Sequence, residues 1–401
     1  MALGVRLVID AAVTLRGAAA AMAQFAALGW ASCAMPCYST VRSWILRIGL
    51  HALTRPLDKT QPWVWLVDHT VQIGQIKLLI ILGCPMSQVP FGERALQMSD
   101  LSLVALVPME KSNGALVETE LENAAHRTGR PALIVSDQGG DLVKGIADYR
   151  ELRPGTMHVP DIAHYGANLL QHAWERDPRW SEFVGKLQEV ASKLRQSKEA
   201  YLMAPRMRPK ARFMNVRTQL RFAQRLLQHL DGATPHAKAL EHYGWLNGFR
   251  VELAVWFREH GLVQTTIETL RADGLHVETL SKLEAAWGEG GQRASTVAVV
   301  QGLREYVRAY RPKVGGVKYV ASTEILESSF GKLKRIEGQQ SQDGITGLSL
   351  ALGAAVGHWD EGTIREALDT VPEKKVVSTV ERLFGTTVQW LRRQFFGAKT
   401  A

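Results

Sequence analysis

Cysteine is scarce in this chain: Cys33, Cys37 and Cys84 are the only three in 401 residues. So small and odd a number makes no disulfide framework, and a reduced, cytoplasmic setting is expected. Cys33 and Cys37 stand four apart with no His or Cys pair at zinc spacing, so no structural zinc is expected. Long apolar runs are missing as well. The longest clean one, Leu78 to Cys84, is far too short to span a bilayer, and no membrane partner is expected. Asp10 interrupts the one apolar stretch near Met1 that could act as a secretory signal. Gly139-Gly140 lacks the following Lys-Ser/Thr of a phosphate-binding loop, so no ATP site is visible. The nucleophile elbow of a serine hydrolase is also lacking.

Acidic residues are nearly absent from one stretch. Between Lys193 and Arg225 lie Lys193, Arg195, Lys198, Arg206, Arg208, Lys210, Arg212, Arg217, Arg221 and Arg225, with Glu199 the sole acid. That local excess of +9 equals the net charge of the whole chain. A surface of this kind attracts phosphate backbones, because each neutralised phosphate releases counterions. A solvated helix face is the bland alternative. Pro205 and Pro209 divide the stretch, which predicts two helices around a basic loop. Arg206, Arg208, Lys210 and Arg212 on that loop are the expected DNA contacts. The remaining composition, 46% hydrophobic and 22% charged, is that of an ordinary globular protein of two or three domains.

Residues 1–55 read as helices. Val5 to Ala27 is apolar at helical spacing, and Ser39 or Thr40 can cap a second helix whose stripe is Val41, Trp44, Ile45 and Ile48. With Arg42 and Arg47 on its polar side, the pair is helix-turn-helix-like, and both arginines are candidate DNA contacts. Residues 56–165 change character. Trp63 to Val67 reads as a strand ending at Asp68, Ile76 to Gly83 and Leu101 to Val107 as two more, Leu116 to Thr128 as a helix, and Pro131 to Ser136 as a strand ending at Asp137. A helix from Asp141 to Tyr149 and a short strand from Thr156 to Pro160 follow. Residues 166–316 are helical throughout, with Trp174, Trp180, Trp245, Trp256 and Trp287 expected in packing. Residues 317–360 carry a helix beginning near Thr323, and residues 361–401 form a helical tail.

Three antiparallel strands, then helix–strand–helix–strand with acids at the strand ends, is an RNase H-like α/β layout with a mixed sheet, a helical N-terminal region and a large all-α insertion. The ends of neighbouring strands converge, so Asp68 and Asp137 could share a metal ion. Glu327, on the helix that would cross the sheet, is the candidate third carboxylate. Hard oxygen ligands suit Mg²⁺ or Mn²⁺. Asp141 competes with Asp137, the bland reading making Asp141 a helix cap. Glu324 competes with Glu327, the bland reading placing Glu324 at the helix N-terminus for its dipole. His69 should point to the opposite side of its strand from Asp68. Asp161 and His164 read as a helix cap and a helical histidine.

The segments Val67-Asp68-His69-Thr70, Ile134-Val135-Ser136-Asp137-Gln138-Gly139-Gly140, Asp161-Ile162-Ala163-His164, and Glu327 followed by Lys334 resemble the DDE transposases of bacterial insertion sequences. The resemblance implies metal-dependent DNA cleavage and strand transfer by Asp68, Asp137 and Glu327. It also implies a DNA contact by Lys334 seven positions after the glutamate, with Lys332 and Arg335 beside it. It implies transposon ends and target DNA as partners, and assembly into dimers or larger oligomers. The signature of one large transposase group is not met, since Thr323 rather than Arg stands four positions before Glu327. A nuclease of the same fold that cuts without rejoining, and a DNA-binding derivative without catalysis, are the alternatives.

Overall fold

The computed structural model describes residues 1–30, 34–73, 76–207, 212–234, 236–288, 293–338, 347–385 and 394–397. The chain divides into two compact units, Met1–Val159 with Thr323–Ala401, and Pro160–Ser322. The first opens with α1 (Ala2–Ile9), α2 (Leu15–Ala27) and α3 (Tyr38–Thr54). It continues through β1 (Trp63–Ile73), β2 (Ile76–Pro85), β3 (Ser102–Met109), α4 (Gly114–Thr128), β4 (Pro131–Ser136), α5 (Gly140–Leu152) and β5 (Met157–Pro160). The second unit holds α6 (Ile162–Trp174), α7 (Pro178–Leu194), α8 (Arg217–Leu230), α9 (Ala237–Tyr243), α10 (Arg250–Asp273), α11 (Thr279–Trp287) and α12 (Ala294–Tyr310). The chain then returns to the first unit with α13 (Glu324–Glu337), α14 (Ala351–Ala355), α15 (Glu361–Thr370) and α16 (Glu373–Phe384).

The sheet order is β3-β2-β1-β4-β5, with β1–β2 and β2–β3 antiparallel and β1–β4 parallel. This is the mixed, RNase H-like sheet that the strand pattern predicts. β1 sits in the middle, and its run Trp63 to Val67 is buried on both faces, as a central strand requires. Trp63, Trp65 and Val67 join Leu79, Ile81, Ile134, Val117, Leu121, Leu142 and Ile146 in one core beneath α4 and α5. α3, α13 and α14 also contact strands of the sheet, but no residue of theirs belongs to that core. They cover the other face.

That second face is tightly closed at α3 and α14. A Cβ built on Gly49 would lie 1.9 Å from the Leu350 carbonyl oxygen, and one on Gly353 would lie 2.6 Å from the Gly49 carbonyl oxygen. A glycine inside a helix normally weakens it by up to about 1 kcal/mol, so its presence here answers to close packing. Gly49→Ala is therefore expected to destabilise the sheet unit by about 2 kcal/mol or more, despite the better helix propensity of alanine. Urea denaturation checks this; a variant as stable as the parent would contradict the packing account.

The helix-turn-helix expectation fares differently. α3 buries Val41, Ile45, Leu46, Ile48 and Leu50, and it contacts α14, α15, α16 and β3 as well as α1 and α2. Arg47 turns inward: its Nε donates to the Val371 carbonyl at 2.6 Å and its guanidinium also reaches the Leu368 carbonyl. Burial lowers the pKa of Arg42, opposed by Tyr38 and Glu373. Arg47 thus holds the end of α15, and Arg42 is half-buried. Arg127 does similar work at the end of α4. Its guanidinium donates to the carbonyls of Leu103, Val104, Ala52 and Arg55 at 2.6 to 3.3 Å, and burial pushes its pKa down to about 10.

The second unit, Pro160–Ser322, is helical, and begins and ends six residues outside the expected 166–316. Its core is aromatic, with Trp174, Trp180, Phe183, Phe213 and Trp256 in mutual contact at ring centroids 4.7 to 6.2 Å apart. Among the described residues no helix is long and apolar enough to cross a membrane.

Candidate active site

Side chains alternate across a strand, so the face taken by Asp68 follows from that of its neighbours. Trp63, Trp65 and Val67 point into the core under α4 and α5. Val64, Leu66 and Asp68 therefore point to the other face, where α13 contacts β1. On β4, Ile134 lies in the α4–α5 core, so Leu133 and Val135 share the face of Val64 and Leu66. The parallel register pairs Leu66 with Val135 and Val67 with Ser136. Asp68 on β1 and Asp137, directly after the end of β4, each follow that last paired rung by one residue.

Each carboxylate is held from its own backbone. Asp68, 9% exposed, accepts the His69 amide at 2.6 Å, and Asp137 accepts the Gly139 amide at 2.9 Å. A Cβ on Gly139 would come within 3.1 Å of the Asp137 carboxylate and 3.3 Å of that of Asp141, so the turn keeps a glycine where two acids crowd it. Two neighbouring carboxylates at strand ends repel each other and weaken the fold. Such local disadvantage is common where a site is built.

Asp141 lies at the same turn as Asp137 and has partners of its own. It accepts from Lys77 Nζ at 3.2 Å and lies 3.6 Å from His69 Nδ1, whose Nε2 is 3.3 Å from the Ser112 hydroxyl. Burial pushes the Asp141 pKa up, but the Ser112 hydroxyl, His69 and Lys77 outweigh it and leave it lowered. Burial lowers that of His69 against the pull of Asp141. His69 thus lies on the side of Asp141 and Ser112, as strand alternation from Asp68 requires. Asp161 caps α6, accepting from the His164 amide and lying 2.8 Å from His164 Nδ1.

α13 buries Leu326, Ser329, Phe330, Leu333 and Ile336. Glu327 is exposed beside that stripe and Glu324 half-buried one turn earlier. Lys334, two turns on from Glu327 and also exposed, shares its side of the helix. Arg335 is exposed and Lys332 half-buried. Hard carboxylate oxygens fit a Mg²⁺ or Mn²⁺ ion, and Asp68 and Asp137 supply them on β1 and directly after β4. Among the described residues, no three His, Cys, Asp or Glu side chains are gathered closely enough to hold a metal. Glu327 is thus not drawn together with the aspartates. Of the expected basic contacts in the second unit, Arg206 is exposed, Arg208 and Lys210 lie outside the described residues, and Arg212 opens a short 3₁₀ turn, Arg212–Asn215.

Behind Asp137, the Ser136 hydroxyl donates to the Asp137 carbonyl and meets His158 Nε2 at 2.9 Å. Burial, aided by Arg150, pushes the His158 pKa down to about 4. An unfolded histidine takes its proton near 6.5, so between pH 6.5 and 4 the unfolded chain binds a proton that the folded chain refuses. Stability is full above 6.5 and falls as the pH drops through this window. The expected loss is on the order of 2 kcal/mol, allowing for the half-buried position. Denaturation of wild type and His158→Gln at pH 7 and pH 4.5 checks it, the variant being expected to lose less; equal losses would contradict it.

No family model matches the chain, and no curated protein does. Among solved structures it is similar in outline to the Drosophila P element transposase strand transfer complex, at a TM-score of 0.37 and 10% identity, covering 92% of this chain and 96% of that one. So distant a likeness says nothing of what this chain binds or does.

Proposed function

We propose that this chain is a divalent-metal-dependent polynucleotidyl transferase of the transposase type, cutting DNA and joining the freed end to a target. The observation that carries the reading is that Asp68 lies on β1 and Asp137 directly after β4, its parallel neighbour, each one residue past the last paired rung. Asp68 and Asp137 would hold Mg²⁺ or Mn²⁺, with Glu327 on α13 as the proposed third ligand. When bound, such an ion polarises a phosphodiester oxygen and favours the attacking hydroxyl. The His69 and Gly139 amides fix how the two aspartates point. Lys334, on the side of α13 that carries Glu327, would take a DNA phosphate, with Lys332 and Arg335 beside it. Joining two DNA ends would call for more than one copy of the chain.

The test is incubation of the full chain with DNA carrying the sequences that flank its own gene, with Mg²⁺, with Mn²⁺ and with chelator. Metal-dependent nicks followed by joined products are expected. Nicks without joining would reduce the chain to a nuclease, and no cleavage under any condition would overturn the catalytic reading.

A further inference from the structure

We infer that the exposed face of α8 is a contact surface for the phosphate backbone of duplex DNA, formed by Arg217, Arg221 and Arg225. The inference rests on the reading that the chain acts on DNA, and names a surface within the helical unit. The three arginines recur every four residues and all are exposed. Each step of four advances about 6 Å along the axis, so the guanidinium stripe runs about 12 Å. Phosphates of one strand advance about 3.4 Å per nucleotide, so the stripe spans three to four of them.

The arrangement is unfavourable for the helix by itself. α8 has no acid in its first turn and no side-chain cap, and it opens on Arg217 at the positive end of its dipole. Like charges four apart repel, at about 0.2–0.5 kcal/mol per pair. No Asp or Glu occurs anywhere between Arg217 and Leu230. Among the described residues none of the three makes an ion pair or hydrogen bond. The contrast with the rest of the unit is sharp. Arg179 pairs with Glu182 and Glu252, Lys186 with Glu182, Lys193 with Glu189, Arg250 with Asp231, and Arg304 with Glu284. Those cations are paired within the unit, and the three α8 arginines have no such partner among the described residues.

The stripe is rigidly mounted. Leu220, Ala223, Leu226 and Leu227 bury the other side of α8, which packs on α9 and α10. Burial, reinforced by Arg217 and Arg221, pushes His260 on α10 down to about 4, so this neighbour stays neutral near pH 7. Between the arginines the exposed positions are the polar Thr218 and Gln224, and the Gln224 amide is a donor suited to phosphate oxygens. No exposed aromatic or aliphatic anchor interrupts them, as a protein partner would want.

The experiment is a salt titration of full-chain binding to a 30-base-pair duplex, a single-stranded 30-mer and polyglutamate, in chelator so that nothing is cut. Wild type is compared with the triple variants R217A/R221A/R225A and R217K/R221K/R225K. On duplex, losing three phosphate contacts should flatten the log–log salt slope by about 2.7 and weaken binding at 0.1 M salt by roughly 10²-fold or more. The lysine variant should keep most of the slope, which separates lost charge from lost folding. An unchanged duplex slope in the alanine variant overturns the inference while leaving the DNA reading intact. A drop confined to the single strand, or to polyglutamate, overturns it in favour of that partner. A wild type that binds no DNA overturns the reading and the inference together.

Discussion

Asp68→Asn is expected to lower metal-dependent DNA cleavage by about 10³-fold or more, with no loss of folding. Asparagine keeps the size and one acceptor oxygen but loses the charge that a divalent ion requires. The His69 amide still finds an oxygen, so the local turn persists. Removing one of two adjacent carboxylates also relieves their repulsion, so the variant should melt no lower than wild type in chelator. In metal the order should reverse. An ion that binds only the folded chain adds about 2.7 kcal/mol of stability at a hundred times its dissociation constant, and Asp68→Asn should forfeit most of that gain. Thermal melts with and without Mn²⁺ read this independently of cleavage. A variant that cuts as wild type does, or that gains equally from metal, would contradict the role of Asp68.

The second large effect concerns stability. Glu259 is fully buried on α10, where its carboxylate accepts from Trp174 Nε1 at 2.5 Å, from the Ser295 hydroxyl at 2.6 Å and from the Thr296 hydroxyl at 2.9 Å. One side chain thus ties α6, α10 and α12 together beside the aromatic core. Glu259→Ala removes the acceptor for three buried donors and leaves a cavity as well. Breaking such a network from one side destabilises by about 3–5 kcal/mol. For a unit of this size that is roughly 10 °C in Tm. Glu259→Gln keeps the shape and should lose less. Calorimetry, with near-ultraviolet circular dichroism of the tryptophans, measures both. An alanine variant within 1 kcal/mol of wild type would show that water satisfies those donors.

Neither the role of Glu259 nor that of Arg127 is legible in the sequence. A glutamate in a long amphipathic helix looks like a surface residue, and Arg127 near the end of α4 looks like a cation placed for the dipole. Their partners lie far away in the chain. Arg47 misleads for the same reason, since its acceptors at Leu368 and Val371 are more than 320 residues off. Asp68 is the opposite case: an apolar run from Trp63 to Val67 ending in an acid marks both strand and site. Asp137 and Asp141 both follow β4 within five residues, and composition cannot separate them. In the structure the two acids meet at the Gly139 turn, and Asp141 is the one that pairs with Lys77. Glu327 is placed on the expected helix, but only its proximity in sequence to Lys334 singled it out, and the structure leaves it exposed.

The most direct measurement is Mn²⁺ binding, followed by electron paramagnetic resonance of the free ion, for wild type, Asp68→Asn, Asp137→Asn and Asp141→Asn. The expected result is a wild-type site whose affinity falls at least about tenfold in each of the first two variants and is retained in the third, whose acid is already paired with Lys77. A site lost with Asp141 and kept with Asp68 and Asp137, or no wild-type binding at all, would contradict the Asp68–Asp137 carboxylate pair.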